Sequence, residues 1–160
     1  MKHCRLRDRS FWGFKYAFKG IWRTLCTESH FRFHISAAVG TVMFTEYFKL
    51  SRADYMFLAL AITLMLASEL VNTALENTVD LCADEYRPKA EIAKDAAAGF
   101  VLICAFFALA VAAMLFLKPN LISSLAHIFT RPKYLVYFIL TVIFIRGGFL
   151  HIDKEKRNGK

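Results

Sequence analysis

The stretch YMFLALAITLMLASELVNTALENTV, Tyr55–Val79, decides the fold. Its first fourteen residues, Tyr55–Ser68, carry no charge. The rest stays largely apolar but admits Glu69, Asn72 and Glu76, and Asp80 follows directly. A helix needs about 20 residues to cross the hydrocarbon of a bilayer, and this stretch has 25. Glu69, Asn72, Glu76 and Asp80 are spaced by three, four and four. At about 100° per residue they share one helix face within roughly 80° of arc. Carboxylates inside a membrane span are costly and usually face a partner, a cavity or a pathway. Two explanations compete. The bland one is a polar packing seam, with Asn72 bonding between helices. The functional one is a chemical site built into the membrane.

Outward from this stretch the pattern repeats. Apolar runs extend from about Phe31 to Phe48, interrupted by Arg32, His34 and Glu46, and from about Ile92 to Leu117. A further run, Tyr134–Leu150, follows a linker marked by Pro119 and Pro132. Its 17 residues reach the lower end of the spanning range of about 17–25. Arg146 and Gly147–Gly148 weaken its end, so a surface-lying helix is the alternative. Near the N-terminus, FWGFKYAFKGIWRTL, residues 11–25, places Phe14, Phe18, Ile21 and Trp22 on one face and Lys15, Lys19 and Arg23 on another. That is an amphipathic basic helix suited to the headgroup layer. The expected fold class is therefore an all-α membrane protein. It has an N-terminal amphipathic surface helix, three transmembrane helices and a fourth at the C-terminus. Residues 1–118 form the expected core and 119–160 an extension.

Composition agrees: 57% of the 160 residues are hydrophobic, against about 45–50% in soluble domains. The formal charge of +8 admits nucleic acid or an anionic membrane surface as partner. The basic residues gather before the first span, between the second and third, and after the fourth. The positive-inside rule reads these as cytoplasmic, and no nucleic-acid partner is expected. An external turn is expected near Leu50–Asp54 and a cytoplasmic loop near Leu81–Ala93. The four cysteines, Cys4, Cys26, Cys82 and Cys104, form no CxxC pair and no zinc spacing. Lys15 and Lys19 interrupt the first apolar stretch, unlike the continuous run of a signal peptide.

On this topology Glu28, Glu85, Arg87, Lys94 and Asp95 join the shallow end of the stripe near the cytoplasmic face, and Glu69 lies deepest. Neither GxxxxGK[ST] nor GxGxxG occurs, so a nucleotide would be held without the common phosphate loops. Phosphoryl transfer needs positioning and charge neutralisation more than covalent chemistry. Carboxylates can hold Mg²⁺ while it keeps several waters. A proton-coupled transporter would also use an intramembrane carboxylate. It would need only Glu69, and not the charges at the cytoplasmic end.

ELVNTALENTVD, Glu69–Asp80, resembles the E-x-x-N-[TS]-A-[IL]-E-x-x-V-D signature of the small bacterial lipid kinases, the diacylglycerol and undecaprenol kinase family. KDAAAG, Lys94–Gly99, resembles their third-helix motif. FKYAFKGIW and ESHFRFH resemble their surface helix and first span. The resemblance covers about residues 9–117. It implies ATP-dependent phosphorylation of a membrane lipid alcohol by a homotrimer in the bacterial inner membrane, with active sites shared between chains. Glu69 matches the general base toward the lipid hydroxyl. Glu28 and Glu76 match the carboxylates that hold Mg²⁺ with the phosphates. Asn72 and Asp80 match polar residues of the stripe. Arg9, Tyr16, Glu28, Glu76, Glu85, Arg87, Lys94 and Asp95 fall at ATP-contacting positions. Arg87 stands where His is common, and Arg9 lies in a poorly matched stretch. FRFH with KDAAAG looks more like the undecaprenol branch. Relatives preferring diacylglycerol tend to carry an acidic residue in place of His34 and Ser in place of Ala98.

Overall fold

A computed structural model of the chain describes residues 10–82, 87–117, 131–137 and 139–144. Among them there is no strand. Helix α1 spans Ser10–Thr27, α2 Ser29–Phe44, α3 Arg52–Cys82 and α4 Pro88–Phe116. A shorter apolar helix, α5, spans Pro132–Phe144.

The boundaries differ from the hydropathy reading for local reasons. Helix α3 begins at Arg52, within the expected external turn. The Ser51 backbone N–H donates to Asp54 Oδ2 at 2.8 Å, and the Asp54 N–H donates to Ser51 Oγ at 3.2 Å. This reciprocal capping satisfies two amides that would otherwise lack partners and starts the helix among polar residues. Helix α4 likewise starts before Ile92. Arg87 is its extended N-cap and Pro88 opens the first turn, where a missing N–H costs nothing. Helix α2 stops at Phe44 rather than continuing to Phe48, and a 3₁₀ turn, Thr45–Tyr47, completes it.

Helices α3 and α4 are the two helices long and apolar enough to cross a membrane among the described residues. Their 31 and 29 residues measure about 46 and 44 Å at 1.5 Å per residue. The hydrocarbon core is about 30 Å thick, so both can project past it. The 16 residues of α2 measure about 24 Å, and the 3₁₀ turn Thr45–Tyr47 extends the element. The 13-residue α5 is shorter still; Ile145–Leu150, the end of the expected fourth span, lie outside the described residues.

Packing follows small residues and regular spacing. The buried positions of α3 are Leu58, Ala61, Met65, Ser68 and Glu69. Those of α4 include Ala97, Cys104, Val111 and Leu115. Steps of three, four and seven make a narrow seam of the coiled-coil kind. In lipid there is little hydrophobic drive between helices, so close packing of small residues has to hold them. At the far end of the pair, Phe44, Phe48 and Phe116 stack with centroids 4.9–5.2 Å apart. They join Leu58, Ala61, Val111 and Leu115 in one cluster.

Helix α1 keeps its apolar side open: Phe14, Phe18 and Trp22 are each about two-thirds or more exposed. That face is available to the headgroup layer. Helix α5 lies against α2. Tyr134 Oη donates to the Met43 carbonyl at 3.3 Å, Tyr137 Oη donates to the Ser36 carbonyl, and Lys133 Nζ reaches both Glu46 carboxylate oxygens at 2.7 Å.

Candidate functional site

The polar stripe of α3 runs from a buried end to an exposed one. Glu69 is 6% exposed, beside the fully buried Ser68. Ser68 satisfies its hydroxyl internally, donating to the Met65 carbonyl at 2.8 Å. Glu69 finds its partner on another helix: His34 Nε2 of α2 lies 3.2 Å from Oε1. Phe33 backs the imidazole edge-on, with centroids 5.4 Å apart. One turn along, Asn72 Nδ2 donates to Glu76 Oε1 at 2.9 Å. This i, i+4 bond orients the Glu76 carboxylate. Asn72 Oδ1 is buried and unpartnered among the described residues. At the exposed end, Lys94 Nζ of α4 meets Asp80 Oδ1 at 2.5 Å, joining the two long helices across their connection.

Glu28 sits at the break between α1 and α2, where its backbone is extended. Arg32 holds that break. It is 2% exposed, and its Nη1 donates to the Leu25 and Cys26 carbonyls at 3.0 Å each. These are C-terminal carbonyls of α1, which lack helical donors and attract positive charge. Arg32 Nε and Nη2 are buried without partners among the described residues. Neither Glu28 nor Glu76 has a cationic partner among the described residues.

Tyr16 lies exposed on α1, and Arg87 and Asp95 are exposed on α4. Arg9 and Glu85 lie outside the described residues. The structure thus joins Glu69 to His34, Asn72 to Glu76 and Asp80 to Lys94. Among the described residues no hydrogen bond or ion pair joins these pairs to Glu28, Tyr16, Arg87 or Asp95. The sequence reading missed the His34–Glu69 contact and the Arg32 staple. The available signal was that Arg32 and His34 interrupt an apolar run, where ionisable residues need partners.

No group of three or more His, Cys, Asp and Glu forms a metal cage among the described residues. Mg²⁺ bound together with substrate phosphates needs only one or two carboxylates and no such cage, and the Glu76 carboxylate is held in place by Asn72.

Comparison with known proteins bears directly on this arrangement. Residues 15–116 match the model of a family described as prokaryotic diacylglycerol kinase. The chain belongs to that family. It is a membrane lipid kinase that takes ATP as co-substrate. It is 41% identical over 110 residues to the undecaprenol kinase of Bacillus subtilis (strain 168), covering 69% of this chain and 89% of that one. It is 38% identical over 109 residues to the diacylglycerol kinase of Synechocystis sp. (strain ATCC 27184 / PCC 6803 / Kazusa), covering 68% of this chain and 62% of that one. No solved structure matches it. The matched core of this lipid kinase ends at Phe116, so α5 belongs to the segment beyond the match.

Proposed function

We propose that this lipid kinase phosphorylates undecaprenol to undecaprenyl phosphate. The observation that carries the reading is the His34–Glu69 pair at the deep end of the stripe. His34 is also the position at which the undecaprenol-like sequence departs from its diacylglycerol-preferring relatives. The longer and closer match to the Bacillus protein supports the same choice.

The residues divide the work by depth. Glu69 accepts the proton of the lipid hydroxyl as the oxygen attacks the γ-phosphorus of ATP. The phosphorus–oxygen bond to the β-phosphate breaks and ADP leaves. His34 holds the Glu69 carboxylate toward α2 through their 3.2 Å contact. Glu28 and Glu76 hold Mg²⁺, which when bound neutralises phosphate charge, and Asn72 keeps Glu76 oriented. Lys94 brings positive charge to the phosphates, and Asp80 fixes the Lys94 ammonium. Arg9, Tyr16, Glu85, Arg87 and Asp95 complete the ATP contacts. The active chain is a homotrimer in the inner membrane, with the N-terminus and the nucleotide side cytoplasmic. Residues 1–118 act as the kinase core.

The test is transfer of label from γ-labelled ATP with Mg²⁺ to undecaprenol and to diacylglycerol, offered separately at matched mole fraction. Label on undecaprenol, lost in Glu69→Gln, is expected. Label on diacylglycerol alone overturns the substrate choice. Full turnover by Glu69→Gln overturns the role of that residue.

A further inference from the structure

Helix α5 touches α2 and the 3₁₀ turn that follows it at three levels. Lys133 meets Glu46, Tyr134 meets Met43, and Tyr137 meets Ser36. The numbers rise along α5 as they fall along α2, so the two helices run antiparallel. Gly40 is the point of closest approach. A Cβ built there would stand 2.9 Å from Tyr137 Oη and 3.2 Å from Cε1. Any larger residue would therefore push the tyrosine off its acceptor. Helix α2 uses different sides for its two neighbours. His34, which meets Glu69 of α3, and Gly40, which admits Tyr137 of α5, are about 120° apart around the helix axis.

We infer that α5 is an intramolecular brace for α2, and that Lys133, Tyr134 and Tyr137 are positioning residues for the kinase reaction. They keep His34 in register with Glu69. Helix α2 needs such support more than α3 or α4, because it is the shorter element and shares no long seam with either. A part-buried Oη–carbonyl bond at each of two turns fixes both its rotation and its height. The Lys133–Glu46 pair closes the outer end, and the Lys133 ammonium lies 5.1 Å from the Tyr134 ring centroid. The antiparallel course returns the chain toward the end of the bundle where α1 and α2 join. The consequence for turnover rests on the reading of Glu69 as base; the docking of α5 does not.

The test uses the full-length chain in detergent, with thermal midpoint, kcat, and KM for ATP as readouts. Tyr137→Ala and Gly40→Leu are expected to lower the midpoint. They should also lower kcat about tenfold or more, as loss of fixed geometry does, with KM for ATP unchanged. Tyr137→Phe, which keeps the ring and removes only the donor, is the milder second variant and should show the same split at smaller size. Glu46→Lys and Lys133→Glu should each lower kcat, and the double exchange should restore it. If Tyr137→Ala and Gly40→Leu match the wild type in midpoint and kcat, or if the exchanged pair is no better than either single change, the brace is overturned. If the midpoint falls and the exchange rescues it while Glu69→Gln and His34→Leu leave kcat intact, the brace stands and the base assignment fails.

Discussion

A carboxylate 6% exposed inside a membrane helix needs a partner that keeps it usable. Water cannot reach it freely, and burying a charge without a partner is costly. The His34 imidazole supplies the partner from a second helix at 3.2 Å. Replacing His34 by Leu removes the hydrogen bond and keeps the apolar volume. The expected result is a fall in kcat of about tenfold or more, since Glu69 loses its fixed orientation, with little change in KM for ATP. His34→Gln retains a hydrogen-bonding group and should recover much of the loss. An unchanged kcat in His34→Leu would show that residue 34 does not act through Glu69.

At the scale of elements, the α3–α4 pair joins the buried part of the site to its exposed part. Asp80 and Lys94 are 14 residues apart in sequence and 2.5 Å apart in space. Both are substantially exposed, so their attraction is screened and contributes at most about 1 kcal/mol to stability. Asp80→Asn should barely move the thermal midpoint. Lys94→Met should also leave it nearly unchanged while raising KM for ATP, which titration of initial rates against ATP would read. A large loss of stability in Lys94→Met would instead make the pair a structural clasp. The long helices were legible in sequence because hydropathy and the three-four spacing of the stripe are local signals. Their ends were not, because Ser51–Asp54 capping and the proline at residue 88 extend helix into polar sequence. The partner of Glu69 was not legible either. Nothing local to Glu69 marks a histidine 35 positions earlier, and only the packing of α2 on α3 brings them together. The α2–α5 contact was hidden for the same reason, although the small side of Gly40 and the two tyrosines spaced by three were present to be read.

The whole molecule exposes more than one chain can use. In a single chain Glu69 pairs with His34, and Glu76 with Asn72, while Glu28 stands apart at the α1–α2 break. Asn72 Oδ1 and two nitrogens of Arg32 are buried and unpartnered among the described residues. Much of α4, including Leu102, Ile103, Phe106 and Leu109, is exposed; lipid or further copies of the chain can cover it. These features fit a site completed by a neighbouring copy, and the proposed trimer has the required symmetry. In a closed ring of three, each interface joins one surface of a chain to a different surface of the next. If Glu28 and Glu69 of one site come from different chains, two inactive variants can repair each other. Equal mixing of Glu28→Gln with Glu69→Gln, through unfolding and reassembly together, gives each interface a one-in-two chance of the right chain on either side. About a quarter of the sites should then hold both native carboxylates. The mixture should recover roughly a quarter of wild-type turnover, while each variant alone stays inactive. If both carboxylates of a site come from one chain, no mixture can unite them and activity stays at the level of the single variants. Recovery would place the phosphate-side carboxylate and the base on neighbouring chains, making assembly a requirement for chemistry as well as for stability.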